Sequence, residues 1–181
     1  RHRPAHVLLR RPGGCVLAPQ PSYPLLDYLA GLNDVKILRY PLSLRSNDRW
    51  AIDFTAWDEL ALKNPKAVML VHPNNPTGNY VKKSELEKIL KFFRKHHTVL
   101  ISDEVFFDYY FEEDKNRAPS FASENEILTF TLSGISKILG LPQMKVSWIV
   151  VTGPENLVKE AVNRLEIISD TYLSAGTPSQ N

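Results

Sequence analysis

An α/β fold built on a mainly parallel sheet, with helices on both faces, is expected from three features. Short aliphatic or β-branched runs alternate with longer amphipathic stretches. Several runs are apolar at nearly every position, as strands buried on both faces must be. The composition is that of an ordinary globular protein, at 43% hydrophobic and 23% charged, which argues against disorder or a fibrous form.

The runs at 15–19, 35–40, 67–71, 99–103, 127–132 and 148–152 are the expected strands. Between them, 24–32 reads as a helix, and 53–62 as a second with Asp53 as N-cap. A third spans 84–96, where Ser84 and Glu87 have capping-box spacing and Leu86, Ile89, Leu90 and Phe93 form one apolar stripe. The fourth, 154–168, places Leu157, Val158, Ala161, Leu165 and Ile168 on one face. Residues 7–14 read as the last turn of a helix followed by a glycine stop, and 171–181 trail off without a closing strand. Both ends are therefore expected to be cuts through a larger fold. At 181 residues there is material for one domain of ordinary size, without room for a second.

Bulk properties exclude several functions. The 22 basic and 20 acidic residues are dispersed, leaving no concentrated field for nucleic acid or anionic lipid. The basic start between Arg1 and Arg11 is expected to be a solvated end, not a phosphate-backbone reader. No run approaches the roughly 18 apolar residues of a membrane helix. Cys15 has no partner for a disulfide, so a reducing, cytoplasmic setting is the default. No Cys/His spacing suggests a metal site.

In open α/β sheets ligands bind outside the carboxyl ends of the strands. Four loops there are unusual. Pro19-Gln20-Pro21-Ser22-Tyr23-Pro24 follows the first strand, and His72-Pro73-Asn74-Asn75-Pro76-Thr77-Gly78 follows the third. Asp103-Glu104 ends the apolar strand at 99–103, and Ser133-Gly134-Ile135-Ser136-Lys137 follows the next, with Lys145 eight residues beyond Lys137.

Asn75-Pro76-Thr77-Gly78, then Asp103 28 residues after Asn75, then Ser136-Lys137 34 residues after Asp103, come in one order and spacing. In this the chain resembles the class I/II pyridoxal-phosphate-dependent aminotransferases, which share the fold of aspartate aminotransferase. The resemblance covers nearly all 181 residues and implies a partial large domain. The upstream glycine-rich phosphate loop and the small domain that clamps the substrate carboxylate are not in this sequence.

The resemblance implies a role for each residue. Lys137 would hold pyridoxal 5'-phosphate as a Schiff base and later shuttle the α-proton, in a cationic, partly desolvated setting. Asp103 would pair with the protonated ring nitrogen. Asn75 would donate to the ring phenolic oxygen, with the bond before Pro76 often cis in the family. Tyr23 would stack on the ring. Ser133, Ser136 and Lys145 would hold the phosphate.

The departures are local. Lysine at 145 stands where arginine is usual, giving a point charge in place of a two-pronged grip. Gln143 and Ser147 replace small residues. Phe106 stands where a tyrosine hydroxyl commonly reaches the cofactor, so the cofactor's proton affinity is expected to shift. Glu104 reads as a supporting or solvated neighbour, and His72, His96 and His97 as structural residues.

The implied activity is amino-group transfer between an amino acid and a 2-oxo acid, by a longer, homodimeric enzyme. Alternatives are a carbon-sulfur lyase with the same Lys137 and Asp103, and a non-enzymatic aminotransferase-like effector domain of a regulator.

Overall fold

The structure, a computed structural model, describes residues 14–46 and 49–172. The basic start and most of the expected glycine-stopped helix end lie outside them, as do 173–181. In order along the chain come β1 (Cys15–Gln20), α1 (Leu25–Leu32), β2 (Lys36–Leu44), β3 (Trp50–Ile52), a single 3-10 turn and α2 (Trp57–Ala61). Then follow β4 (Ala67–Val71), α3 (Lys83–His96), β5 (Val99–Asp103), β6 (Thr129–Gly134), α4 (Ile135–Ile138), β7 (Ser147–Thr152) and α5 (Glu155–Tyr172).

Seven strands make one sheet in the order β3-β2-β1-β4-β5-β6-β7. The central five run parallel; β3 and β7 are antiparallel edges. Each strand alternates between two cores. Leu17, Tyr40, Val68, Leu70 and Leu100 pack against α2 and α3 through Trp57, Ile89, Leu90, Phe92 and Phe93. Val16, Ala67, Val99, Ile101, Phe130 and Val151 meet α5 through Leu157, Val158 and Ala161. The α3 side is the heavier: Trp57 lies 5.2 Å from Tyr40 and 4.8 Å from Phe92, centroid to centroid. Loss of a ring such as Phe93 would cost about 3–5 kcal/mol.

Several expected boundaries move. Strand β2 runs past Pro41 to Leu44, because beyond the parallel register it finds a new partner in β3, a strand too short to read from sequence. The strand expected at 127–132 is shifted to Thr129–Gly134. The helix expected over 53–62 is a 3-10 turn plus α2; Asp53 does cap it, accepting from the Thr55 amide at 3.0 Å. Helix α3 starts one residue early, so its cap is not Ser84 with Glu87. Glu85 instead accepts from the Lys82 amide at 2.8 Å and, reaching across to β3, from Ile52 at 3.0 Å. Helix α5 continues to Tyr172, four residues beyond its expected end at Ile168.

Candidate functional site

The strand order doubles back after β3: β2 and β3 lie on one side of β1, and β4 on the other. The carboxyl ends of β1 and β4 therefore lie side by side at the switch point, the place where α/β sheets bind ligands. Register then aligns the rest. Val71, Asp103 and Leu132 are in-line partners on β4, β5 and β6, so the residues that follow them emerge along one rim. The His72 amide donates to Asp103 O at 2.8 Å and the Glu104 amide to Leu132 O at 2.9 Å, tying that rim together.

The β1 and β4 loops are joined by Asn74, a residue sequence reasoning passed over. Its side chain is only 4% exposed. Its amide nitrogen donates to the Pro21 carbonyl at 3.1 Å and to the Thr77 hydroxyl at 2.6 Å, while its oxygen accepts from the Ser22 hydroxyl at 3.1 Å. The Gly78 amide closes the turn onto Asn74 O at 2.8 Å, with Gly78 at φ +70°. Tyr23, 50% exposed, sits next to one end of this weld and Asn75 next to the other. The Asn75–Pro76 bond is cis, as are Gln20–Pro21 and His72–Pro73. Asn75 makes no side-chain hydrogen bond among the described residues, so its amide is available.

Asp103 at the tip of β5 accepts from the Val105 amide at 3.2 Å and has no cation beside it among the described residues. Burial pushes its carboxyl up from the usual carboxylate range, with the Val105 amide opposing. Glu104, in contrast, is not solvated: at 3% exposure it accepts from the Ser102 hydroxyl and the Phe121 amide, both at 2.9 Å. It anchors the chain after β5 to a second short 3-10 turn, Phe121–Ser123.

Beyond β6 the chain turns at Gly134. A side chain there would lie 2.8 Å from the Val146 carbonyl oxygen, so only glycine lets the returning strand β7 pack this closely. Gly134 pairs with Ser147, which returns Lys145 to the end of the sheet where Ser133 and Ser136 stand. Neither serine hydroxyl nor the Lys145 amine has a partner among the described residues. Lys145 adopts a left-handed backbone, φ +54°, uncommon for a non-glycine residue.

Lys137, on the four-residue helix α4, is exposed, where a partly desolvated, cationic setting was expected. Its Nζ lies 5.4 Å from the centre of the Phe106 ring. No other cation is paired with or stacked on it among the described residues.

His72 is a fully buried fastener. Its Nδ1 accepts from the Val81 amide at 3.0 Å, its Nε2 faces Ala118 O at 3.4 Å, and the rings of Phe107 and Phe121 pack edge-on to it. Burial, helped by Arg117, lowers its pKa to about 4, so the ring is neutral and serves packing.

The arrangement thus combines a doubly wound sheet, a switch point between β1 and β4, a carboxylate without a cation, a free amide, two free hydroxyls and two exposed amines. That is an α/β protein with unused donors and an uncompensated carboxylate along the carboxyl rim of its sheet. The family profile described as Aminotransferase class I and II matches residues 5–181, and the chain belongs to that family. It is 28% identical over 169 residues to the glutamate-pyruvate aminotransferase AlaA of Escherichia coli K12, across 93% of this chain and 41% of that protein. It is 32% identical over 150 residues to the S-alkyl-thiohydroximate lyase SUR1 of Arabidopsis thaliana, across 82% of this chain and 32% of that protein. The crystal structure of cystalysin from Treponema denticola, which contains pyridoxal 5'-phosphate, superposes with a TM-score of 0.73 at 26% identity, covering 92% of this chain and 42% of that one. The chain spans about two fifths or less of the length of these relatives. Among the described residues no helix is long and apolar enough to cross a membrane.

Proposed function

We propose that the chain is the central part of the large domain of a pyridoxal-phosphate-dependent aminotransferase, which exchanges an amino group between an amino acid and a 2-oxo acid. The observation that carries this reading is the donor set on one rim of the sheet. Asn75, Ser133, Ser136 and Lys145 have unused donors, and Asp103 is a half-buried anion without a cation. A protonated ring nitrogen would supply that cation and a phosphate would take those donors, so the residues fit the group.

When bound, the cofactor supplies an electron sink for the pair left as an amino acid loses its α-proton. The protein's part is binding, orientation and proton transfer. Asp103 would keep the ring nitrogen protonated; the ion pair offsets the burial that now raises its carboxyl. The Asn75 amide would donate to the phenolic oxygen, and the exposed Tyr23 ring would stack on one face. Ser133 and Ser136 would donate to phosphate oxygens, with Lys145 adding a point charge. The Lys137 Nζ would hold the cofactor through its aldehyde carbon, with water as the leaving group, and its free amine would accept and return the α-proton.

Under this reading the complete protein is a cytoplasmic homodimer. The exposed Leu25, Tyr28, Leu29 and Leu32 of α1 form an apolar face that a second copy would cover.

The deciding experiment is borohydride reduction of the complete protein with pyridoxal phosphate, followed by peptide mapping. One stoichiometric label on Lys137 is expected; label spread over surface lysines of a folded sample removes the reading. A second reading, carbon-sulfur elimination, is favoured by the 32% identity to SUR1. It would release a thiol from a cysteine conjugate and, after hydrolysis by water, an oxo acid and ammonia, whereas transamination forms a new amino acid only when an oxo acid is added.

A further inference from the structure

Helix α4 has only four residues: the Leu139 amide closes onto Ile135 O at 3.1 Å and the Gly140 amide onto Lys137 O at 3.2 Å, so a further bond to the Lys137 carbonyl from outside adds substantially to what fixes the lysine. The segment after β5 supplies one. It is held to β6 by the Glu104 amide and turns back on itself, with the Phe107 amide on Glu104 O and the Tyr109 amide on Phe106 O, each at 2.9 Å. Arg117 clasps it from the other side, its guanidinium 4.0 Å over the Phe107 ring and bonded to the Phe107 carbonyl. From this fixed turn the Tyr109 hydroxyl donates to the Lys137 carbonyl at 2.6 Å. Among the described residues it is the only hydrogen bond from the turn to α4. The Tyr109 ring also stands edge-on to Phe106, centroids 5.7 Å apart and planes at 89°, and Phe106 is the ring beneath the Lys137 Nζ.

We propose that Tyr109 is a positioning residue for Lys137: its hydroxyl pins the lysine's backbone while its ring braces the Phe106 shelf on which the amine lies. The inference rests on Lys137 being the cofactor-bearing residue. Phe106 has no hydroxyl to offer; the aromatic group whose hydroxyl reaches the lysine turn is Tyr109, three residues further along the chain, and it acts on the backbone.

The test is Tyr109→Phe in the complete protein, with Tyr110→Phe as control. Both tyrosines are more than half exposed, and Tyr110 lies over Arg117, so neither change threatens the core. Hydrogen–deuterium exchange of the peptide covering 135–141, without added cofactor, is expected to rise about fivefold in Tyr109→Phe and stay unchanged in the control. The rate at which Lys137 takes a borohydride-stable label at saturating pyridoxal phosphate is expected to fall by a similar factor, with the half-saturating concentration unchanged. Faster exchange with an unaltered labelling rate would make Tyr109 a structural residue only and overturn the proposal. So would unaltered exchange, whatever the labelling rate. If the unmodified protein itself fails to label at Lys137, the proposed function falls and this inference with it, an outcome distinguishable because the variant is not needed to see it.

Discussion

The Asn74 amide nitrogen and the Pro21 carbonyl oxygen lie 3.1 Å apart, bridging loops more than fifty residues apart in sequence at the point where the sheet reverses its order. The bond joins the two loops that carry Tyr23 and Asn75. Ring stacking and phenolic-oxygen contact in the proposed site therefore depend on one buried amide.

Truncation of that amide is the first prediction. Asn74→Ala leaves the Pro21 carbonyl without this donor, and the Ser22 and Thr77 hydroxyls lose their bonds to the amide, at a cost of about 1–3 kcal/mol for each group left unsatisfied in a buried setting. The urea midpoint should fall with unchanged slope, whereas Asn75→Ala, whose side chain makes no hydrogen bond among the described residues, should leave it in place; cofactor affinity should fall in both. A cofactor affinity equal to the wild type's would disconnect the weld from the site.

Asp103 should trade stability for function. Its folded-state pKa is raised by burial, so it favours folding below its unfolded pKa and the benefit is lost as pH rises through the folded value. Asp103→Asn should therefore stabilise the cofactor-free protein at pH 7, with the gain vanishing near pH 3. The same change should weaken cofactor binding, because the ring nitrogen loses its anion. Unfolding measured at both pH values, alongside cofactor titration, checks both halves; a destabilised Asp103→Asn at pH 7 would contradict the first.

His72 has the opposite sign. Its pKa is depressed to about 4, so its contribution is present above the unfolded value near 6.5 and lost as pH falls between the two. The loss is of the order of 3 kcal/mol for a shift of this size. An NMR titration should find this ring neutral throughout the range in which free histidine titrates; a midpoint near 6.5 would remove the effect.

How much of this was legible varied with the length scale of the interaction. Strands β4 and β5 fall at their expected bounds because apolar runs closed by polar residues fix both ends. Strand β3 was not visible, since three residues carry no period and the strand exists only because β2 overshoots its parallel partner. Asn75, Asp103 and Lys137, singled out by their order in the sequence, lie at or after strand ends that register brings to one rim. What holds them was not legible. Asn74 stood beside Asn75 with the same chemistry, and only the fold decides which amide is spent on the loops. Tyr109 and Lys137 are 28 residues apart, and nothing local marks a hydroxyl for a distant carbonyl. Glu104 read equally as a supporting or a solvated neighbour, and only the fold shows it buried on the Ser102 hydroxyl and the Phe121 amide.

Lys145 separates the fold's needs from the site's. Its φ of +54° places a β-carbon where left-handed backbone crowds it, at a cost of roughly 1–2 kcal/mol that glycine would not incur. Lys145→Gly should therefore stabilise the protein while weakening phosphate capture, because the side chain contributes charge and no packing. Lys145→Arg should keep the strained backbone, leave stability within about 0.5 kcal/mol, and tighten binding, since a guanidinium can take two phosphate oxygens where an ammonium takes one charge's worth. Thermal unfolding of the three proteins, with titration by pyridoxal phosphate and by pyridoxal, resolves the two contributions. The affinity differences should appear with the phosphorylated compound and disappear with the other. Equal differences with both would mean that residue 145 acts on the ring or the loop, and that Ser133 and Ser136 face something other than phosphate.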